Sequence, residues 1–273
     1  MTRDAIPGRP LAVAATVTVI ALVVVLPLAA VVWAAHGIAP ERLFAIITAP
    51  RTLAAFRLTF GAALAASLID AVLGFAIAWV LTGATFPGRG WIDAIVDMPF
   101  ALPTAVTGIT LAALYGPHGW IGGFLAAHGI HVAYTPLGVG LALAFVGLPF
   151  VVRTVQPALA DLPEELTEAA RGLGASWFTV ARRVTIPLAL PAVATGFALA
   201  LARTLGEYGS VVFIAGNFPG RTEIVPLLVI THLEEYDQAG AAAIATVMLV
   251  VSLGLVLAIN ALQRRMVVAR SAA

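Results

Sequence analysis

Between Leu11 and Ala35 the chain carries no charged side chain, and five further apolar runs follow it: Leu58 to Leu81, Ala94 to Tyr115, Leu137 to Val155, Leu188 to Gly216 and Gly240 to Leu262. About 20 apolar residues in a helix bridge the ~30 Å hydrocarbon layer of a bilayer. Water is absent there, so each segment must satisfy its own backbone N–H and C=O groups, and a chain with this many runs is driven to helices. The pattern predicts an all-α integral membrane protein with about six transmembrane helices. They form one domain over 11–263, with short tails at 1–10 and 264–273. The first run is longer than a secretory signal core and is expected to be retained. The fifth exceeds one crossing and is expected to hold a break or a tilted stretch.

Composition excludes much else. The 273 residues are 61% hydrophobic and 11% charged, with no cysteine, so a soluble domain, a disulfide framework and a thiolate metal site are all ruled out. All the basic residues are arginine. Without a lysine the chain has no standard P-loop, so ATP and Mg²⁺ would have to be bound by a partner. A net charge of +1 and the lack of a basic stripe argue against nucleic acid. His128 and His131 have a spacing that could ligate a metal, but two ligands with no nearby carboxylate are too few. No hydrolase elbow, zinc-protease motif or paired carboxylates occur, so no catalytic residue and no metal site is assigned.

Arginine placement orients the spans. With the N-terminus inside, Arg3, Arg9, Arg89, Arg153, Arg171, Arg182, Arg183, Arg264, Arg265 and Arg270 fall on the cytoplasmic side, and Arg42, Arg51, Arg57 and Arg221 outside. Both termini are expected in the cytoplasm of a cell with this chain in its inner membrane.

A polar island at 161–187 separates the fourth and fifth runs. Asp161 is suited to cap a helix, with Pro163 in its first turn and Glu164 placed as in a capping box. Gly172 and Gly174 end that helix. Ser176 is suited to cap a second short helix through Trp177, Phe178, Arg182 and Arg183, which is expected to stop at Pro187.

Within this island Glu168-Ala169-Ala170, Gly174 after three intervening residues, and Val184, Ile186 and Pro187 after nine more resemble the signature loop of ATP-binding-cassette importer permeases. The resemblance implies the type I importer permease fold, with this loop docking on an ATPase subunit. It assigns Glu168, Ala169, Ala170, Arg171, Leu173, Gly174 and Pro187 to coupling. Pro99 to Thr110, Leu148 to Pro157, Leu205 to Asn217 and Thr222 to Leu228 look like the T subunit of sulfate/thiosulfate importer permeases. That implies a conduit rather than an enzyme. It also implies two ATPase subunits, a second similar permease and a periplasmic sulfate-binding protein as partners. A molybdate or tungstate permease of the same family is the alternative, and a proton-coupled anion carrier a more distant one.

Pro99 and Pro103 in the third run, Pro149 in the fourth, and Pro187 and Pro191 at the start of the fifth predict kinks or breaks. Such breaks persist where protein or a water-filled path receives the freed backbone groups. Charges inside the runs are costly in lipid and must face protein or water. Arg203 and Glu207 lie four apart on one helical face, suited to an internal ion pair or, alternatively, to an anion path with Tyr208 and Ser210. Asp70 is expected to hydrogen-bond to a neighbouring helix.

Overall fold

The computed structural model describes residues 9–271, and not the side chains of Arg9, Pro10, Leu262 and 264–271. The ends 1–8 and 272–273, with Arg3, therefore lie outside the described residues. The chain begins with helix α1 (Arg9–Ile20) and α2 (Leu26–His36), joined through a π turn at Ala21–Val25 into one continuous crossing. The turn has a sequence cause: Pro27 lacks an N–H and its ring crowds the carbonyl one turn back, so the preceding turn widens and Leu26 N–H bonds Ala21 O.

Short α3 (Pro40–Thr48) leads into α4 (Pro50–Gly83), whose 34 residues are longer than a bilayer requires. The sequence places the start of this span at Leu58, because Arg51 and Arg57 interrupt the hydropathy. The helix begins at Pro50, upstream of both. Next come α5 (Arg89–Ala101) and α6 (Thr104–Tyr115), which meet at 114°. Leu102 (ψ 135°) and Pro103 (ψ 134°) are extended between them. A following proline disfavours the helical region, and Leu102 takes the extended alternative, so the expected break falls here, while Met98 before Pro99 stays helical within α5. Pro99 sits inside α5, and Pro149 and Pro157 inside α8 (Pro136–Ala160), which follows short α7 (Trp120–Ala127).

The island forms α9 (Glu164–Gly172), then α10 (Trp177–Val180). Two local expectations need correction. Asp161 does not cap α9: it closes α8, its amide bonded to Pro157 O, and Pro163 occupies the capping position. The second short helix does not stop at Pro187. A π turn, Ala181–Thr185, carries it into α11 (Ile186–Leu205), again just before a proline, so Trp177–Leu205 is one span. The break expected in the fifth run lies at Gly206 to Tyr208, and α12 (Gly209–Ala215) resumes after it. Short α13 (Val225–Glu234) and α14 (Gln238–Ser271) complete the chain. Helix α14 carries on past 263, where the sequence places the start of a tail. Among the described residues, five helices are long and apolar enough to cross a membrane, or six with α5–α6 as one bent span.

Helices α4, α8 and α11 pack together at the centre. Close approach is set by glycine: a Cβ on Gly74 would lie 2.8 Å from Val151 Cβ, and one on Gly196 2.8 Å from Val151 Cα. In lipid, where apolar side chains gain nothing by leaving the solvent, such small-residue contacts supply the association. One buried cluster, with Leu143, Leu201, Leu205 and Ile214, fills the half nearer α12. Another, with Leu81, Val96, Val151, Val155 and Ala189, fills the half nearer α9.

Candidate coupling turn and intramembrane polar cluster

The turn between α8 and α10 is anchored at both ends and free in its middle. Leu162 packs against the cluster of Val155, Leu159 and Ala189, and Trp177 stacks on Trp79 of α4 at 5.6 Å. Between these anchors α9 buries no residue. Glu164 and Glu165 stand at its N-terminus and Arg171 in its last turn, each matched to the helix dipole. The amides of Leu173 and Ala175 bond back to Ala169 and Ala170 O, which requires Gly174 at φ +83°. Leu173 is 91% exposed, and Leu166, Trp177 and Phe178 are exposed beside it. An apolar patch on a polar turn is the mark of a surface that another protein covers. Glu168, Ala169 and Arg171 are exposed and Ala170 is half-buried, so the sequence-assigned residues lie along this one turn. Pro187 lies farther on, half-buried in the first turn of α11 after the π turn.

At the opposite end of α11, Arg203 Nη1 lies 2.6 Å from Glu207 Oε2. Glu207 is 2% exposed, and its Oε1 accepts from both Ser210 N (2.9 Å) and Ser210 Oγ (2.8 Å). Here the ion pair spans the break in the helix: Arg203 belongs to the end of α11 and Ser210 to the start of α12. Ser210 is fully buried with both donors committed to Glu207, whereas Tyr208 is 39% exposed. Arg203 keeps 36% of its side chain accessible, so it is the residue of this set with donors and charge open to an anion.

Asp70 is 1% exposed, and its Oδ2 has no hydrogen-bond partner among the described residues. The oxygen lies where a Cβ on Gly147 would fall, beside Thr204, which is itself 3.5 Å from Ser67. Asp70 thus meets the two neighbouring helices by packing, without the interhelical bond expected for Oδ2.

Sequence reading passed over Asp93, Asp97 and Glu223. Arg153, taken there only as a topology marker, donates to Asp97 Oδ1 and Oδ2 and to Asp93 Oδ1, each at 2.7 Å. Arg51 grips fully buried Glu223 through two bonds of 2.8 and 2.7 Å. The Asp93/Asp97 spacing of four was a usable signal for one helical face. Nothing local marks Glu223, whose partner lies 172 residues away.

Residues 71–268 match the model of the binding-protein-dependent transport system inner membrane component. Among curated proteins, a probable sulfate transport system permease protein cysT of Nephroselmis olivacea is 49% identical over 88% of this chain and 84% of its own length. The sulfate transport system permease protein CysT of Salmonella typhimurium is 44% identical over 97% of this chain and 95% of its own. Among solved structures, a bacterial ABC transporter that imports the acidic polysaccharide alginate matches with TM-score 0.77 at 16% identity, covering 92% of each chain. The MetNI methionine ABC transporter matches with TM-score 0.58 at 20% identity, over 85% of this chain and 99% of that one. The break-containing α-helical fold is therefore shared with ABC importer permeases, and the chain belongs to the family of binding-protein-dependent transport system inner membrane components.

Proposed function

We propose that the chain is a membrane-spanning subunit of an ATP-driven importer that carries sulfate or thiosulfate into the cytoplasm. The turn at 164–174 carries this reading: it is polar with an exposed apolar patch at Leu166 and Leu173, buries nothing in its middle and is rooted at both ends in helices that form the core. The identity of 43–49% to sulfate permeases over most of the chain supports the substrate. The chain works with a second similar permease, two ATPase subunits that hold ATP and Mg²⁺, and a periplasmic binding protein, with both of its termini in the cytoplasm.

The turn docks on the ATPase subunit. Closure of the ATPase pair on ATP draws the turn with it, and through Leu162 and Trp177 moves the near ends of α8, α10 and α4 as a unit. The breaks at Leu102–Pro103 and Gly206–Tyr208 are where the helices bend to open the path outward, and hydrolysis resets it. Arg203 offers positive potential in a low-dielectric path. Glu207, locked by Ser210, keeps that arginine oriented and tempers its charge, so an anion is attracted yet released.

The test is sulfate-stimulated ATP hydrolysis in liposomes holding this chain with its native partners. Stimulation by sulfate is expected. Stimulation by molybdate alone would keep the mechanism and overturn the substrate. Uptake by this chain alone, driven by a pH gradient, would overturn the ATP-driven reading in favour of a carrier.

A further inference from the structure

We propose that Arg153 is a positioning residue for transport: it fastens the first half of the bent span, α5, to the helix that enters the coupling turn, so that movement of the turn bends the span at Leu102–Pro103. This rests on the ATP-driven reading above.

The guanidinium is used to its full capacity. Nε and Nη2 form a fork on Asp97, Nη1 reaches Asp93 Oδ1 and Gln156 Oε1, both at 2.7 Å, and Nη2 also donates to Asp93 O at 3.0 Å. A planar fork held at both edges fixes direction as well as distance, which a single flexible ammonium cannot do. Arg153 lies about two turns before the end of α8, from which the chain passes directly into the turn.

Helix α5 is otherwise weakly held. It buries Val96, and Phe100 meets Phe150 edge-on at 5.1 Å, while Trp91, Ile92, Ile95 and Met98 are exposed. Its other half is attached elsewhere. In α6, Gly108 has room for no Cβ because the Ser210 backbone is against it, and Thr104 Oγ1 occupies the space a Cβ on Gly209 would need. The two halves of the bent span thus attach at different places: α5 to the end of α8 that enters the turn, and α6 to α12 and the opposite end of α8, beside the Arg203–Glu207 clasp. Any displacement between those places is taken up at the extended residues that join α5 to α6.

Magnitude separates this role from simple stabilisation. The three side chains are 30, 41 and 50% exposed, so the cluster is screened by solvent and its loss leaves the fold standing. The experiment is sulfate moved per ATP hydrolysed in liposomes holding the complete importer, for the unaltered chain, Arg153→Gln, Asp97→Asn and Arg153→Lys. We expect Arg153→Gln to hydrolyse ATP within about twofold of normal. Sulfate moved per ATP should fall about tenfold, with Asp97→Asn and Arg153→Lys intermediate. An unchanged ratio in Arg153→Gln and Asp97→Asn would overturn the proposal. So would a parallel loss of uptake and hydrolysis in both variants with a lowered melting temperature, which marks a structural role. If the unaltered chain has no ATP-coupled uptake at all, the ATP-driven reading fails and takes this one with it.

Discussion

Gly174 concentrates the demands on the turn at 164–174. Its φ of +83° costs an L-residue about 1–2 kcal/mol, and a carboxylate there would face the negative end of α9. Gly174→Asp is expected to abolish sulfate uptake while leaving membrane levels of the chain intact, as read by transport assay and immunoblot. A second residue-scale prediction concerns Asp237. The Gly240 amide, then His232 and Arg42, hold its carboxyl below the ordinary range. A depressed carboxylate adds stability that is present above its unfolded pKa of about 3.9 and is lost as pH falls through the lower folded value. Protection of the Gly240 and Ala241 amides against hydrogen exchange, relative to their intrinsic rates, should therefore fall below about pH 4, and Asp237→Asn should remove that pH dependence. Glu168, Ala169, Ala170 and Gly174 were legible in the sequence because the turn that holds them is local. Glu223 was not, because its partner Arg51 lies 172 residues away, and of the partners of Asp237 only Arg42 is distant in the chain.

Among the elements, the bundle is set by where backbones come close. Gly74 of α4 and Gly196 of α11 bracket Val151 of α8. Gly74→Ala is expected to destabilise the chain by about 1–3 kcal/mol through overpacking, and adding Val151→Ala should restore part of it. A double-mutant cycle from melting in detergent would read that coupling. Helix breaks followed a finer rule than the presence of proline. Pro99, Pro149, Pro157 and Pro191 sit within helices, and Pro27 and Pro187 follow π turns. At Leu102–Pro103 alone of these sites the backbone leaves the helix for an extended pair of residues. Periodicity cannot separate these outcomes, since each depends on what packs around the freed carbonyl. For the same reason the short helices α3, α7, α12 and α13 were hidden in what the sequence shows as loops or as the end of a run.

Across the whole molecule, long-range polar contacts tie the ends of helices whose middles are held by packing. Arg51 on α4 and buried Glu223 before α13 are one such tie, and Val225 N donates to Thr59 Oγ1 beside it at 2.8 Å. Arg51→Ala would leave a carboxylate buried without its cation. Breaking a fully buried pair costs about 3–5 kcal/mol, and with Arg51 37% exposed about 2–3 kcal/mol is expected. The melting temperature in detergent should fall, and Arg51→Ala with Glu223→Gln should recover part of the loss. The sequence by itself determined the membrane class, the approximate number of crossings and the place of the polar turn between α8 and α10, because apolar length and glycine act within a few residues, while its caps and the run past Pro187 came out differently. Only the tertiary structure decided which charges meet. Arg153 with Asp93 and Asp97, Arg51 with Glu223, and Asp70 Oδ2 without a hydrogen-bond partner among the described residues depend on helix rotation and depth, and those are fixed by small-residue contacts between segments far apart in the chain.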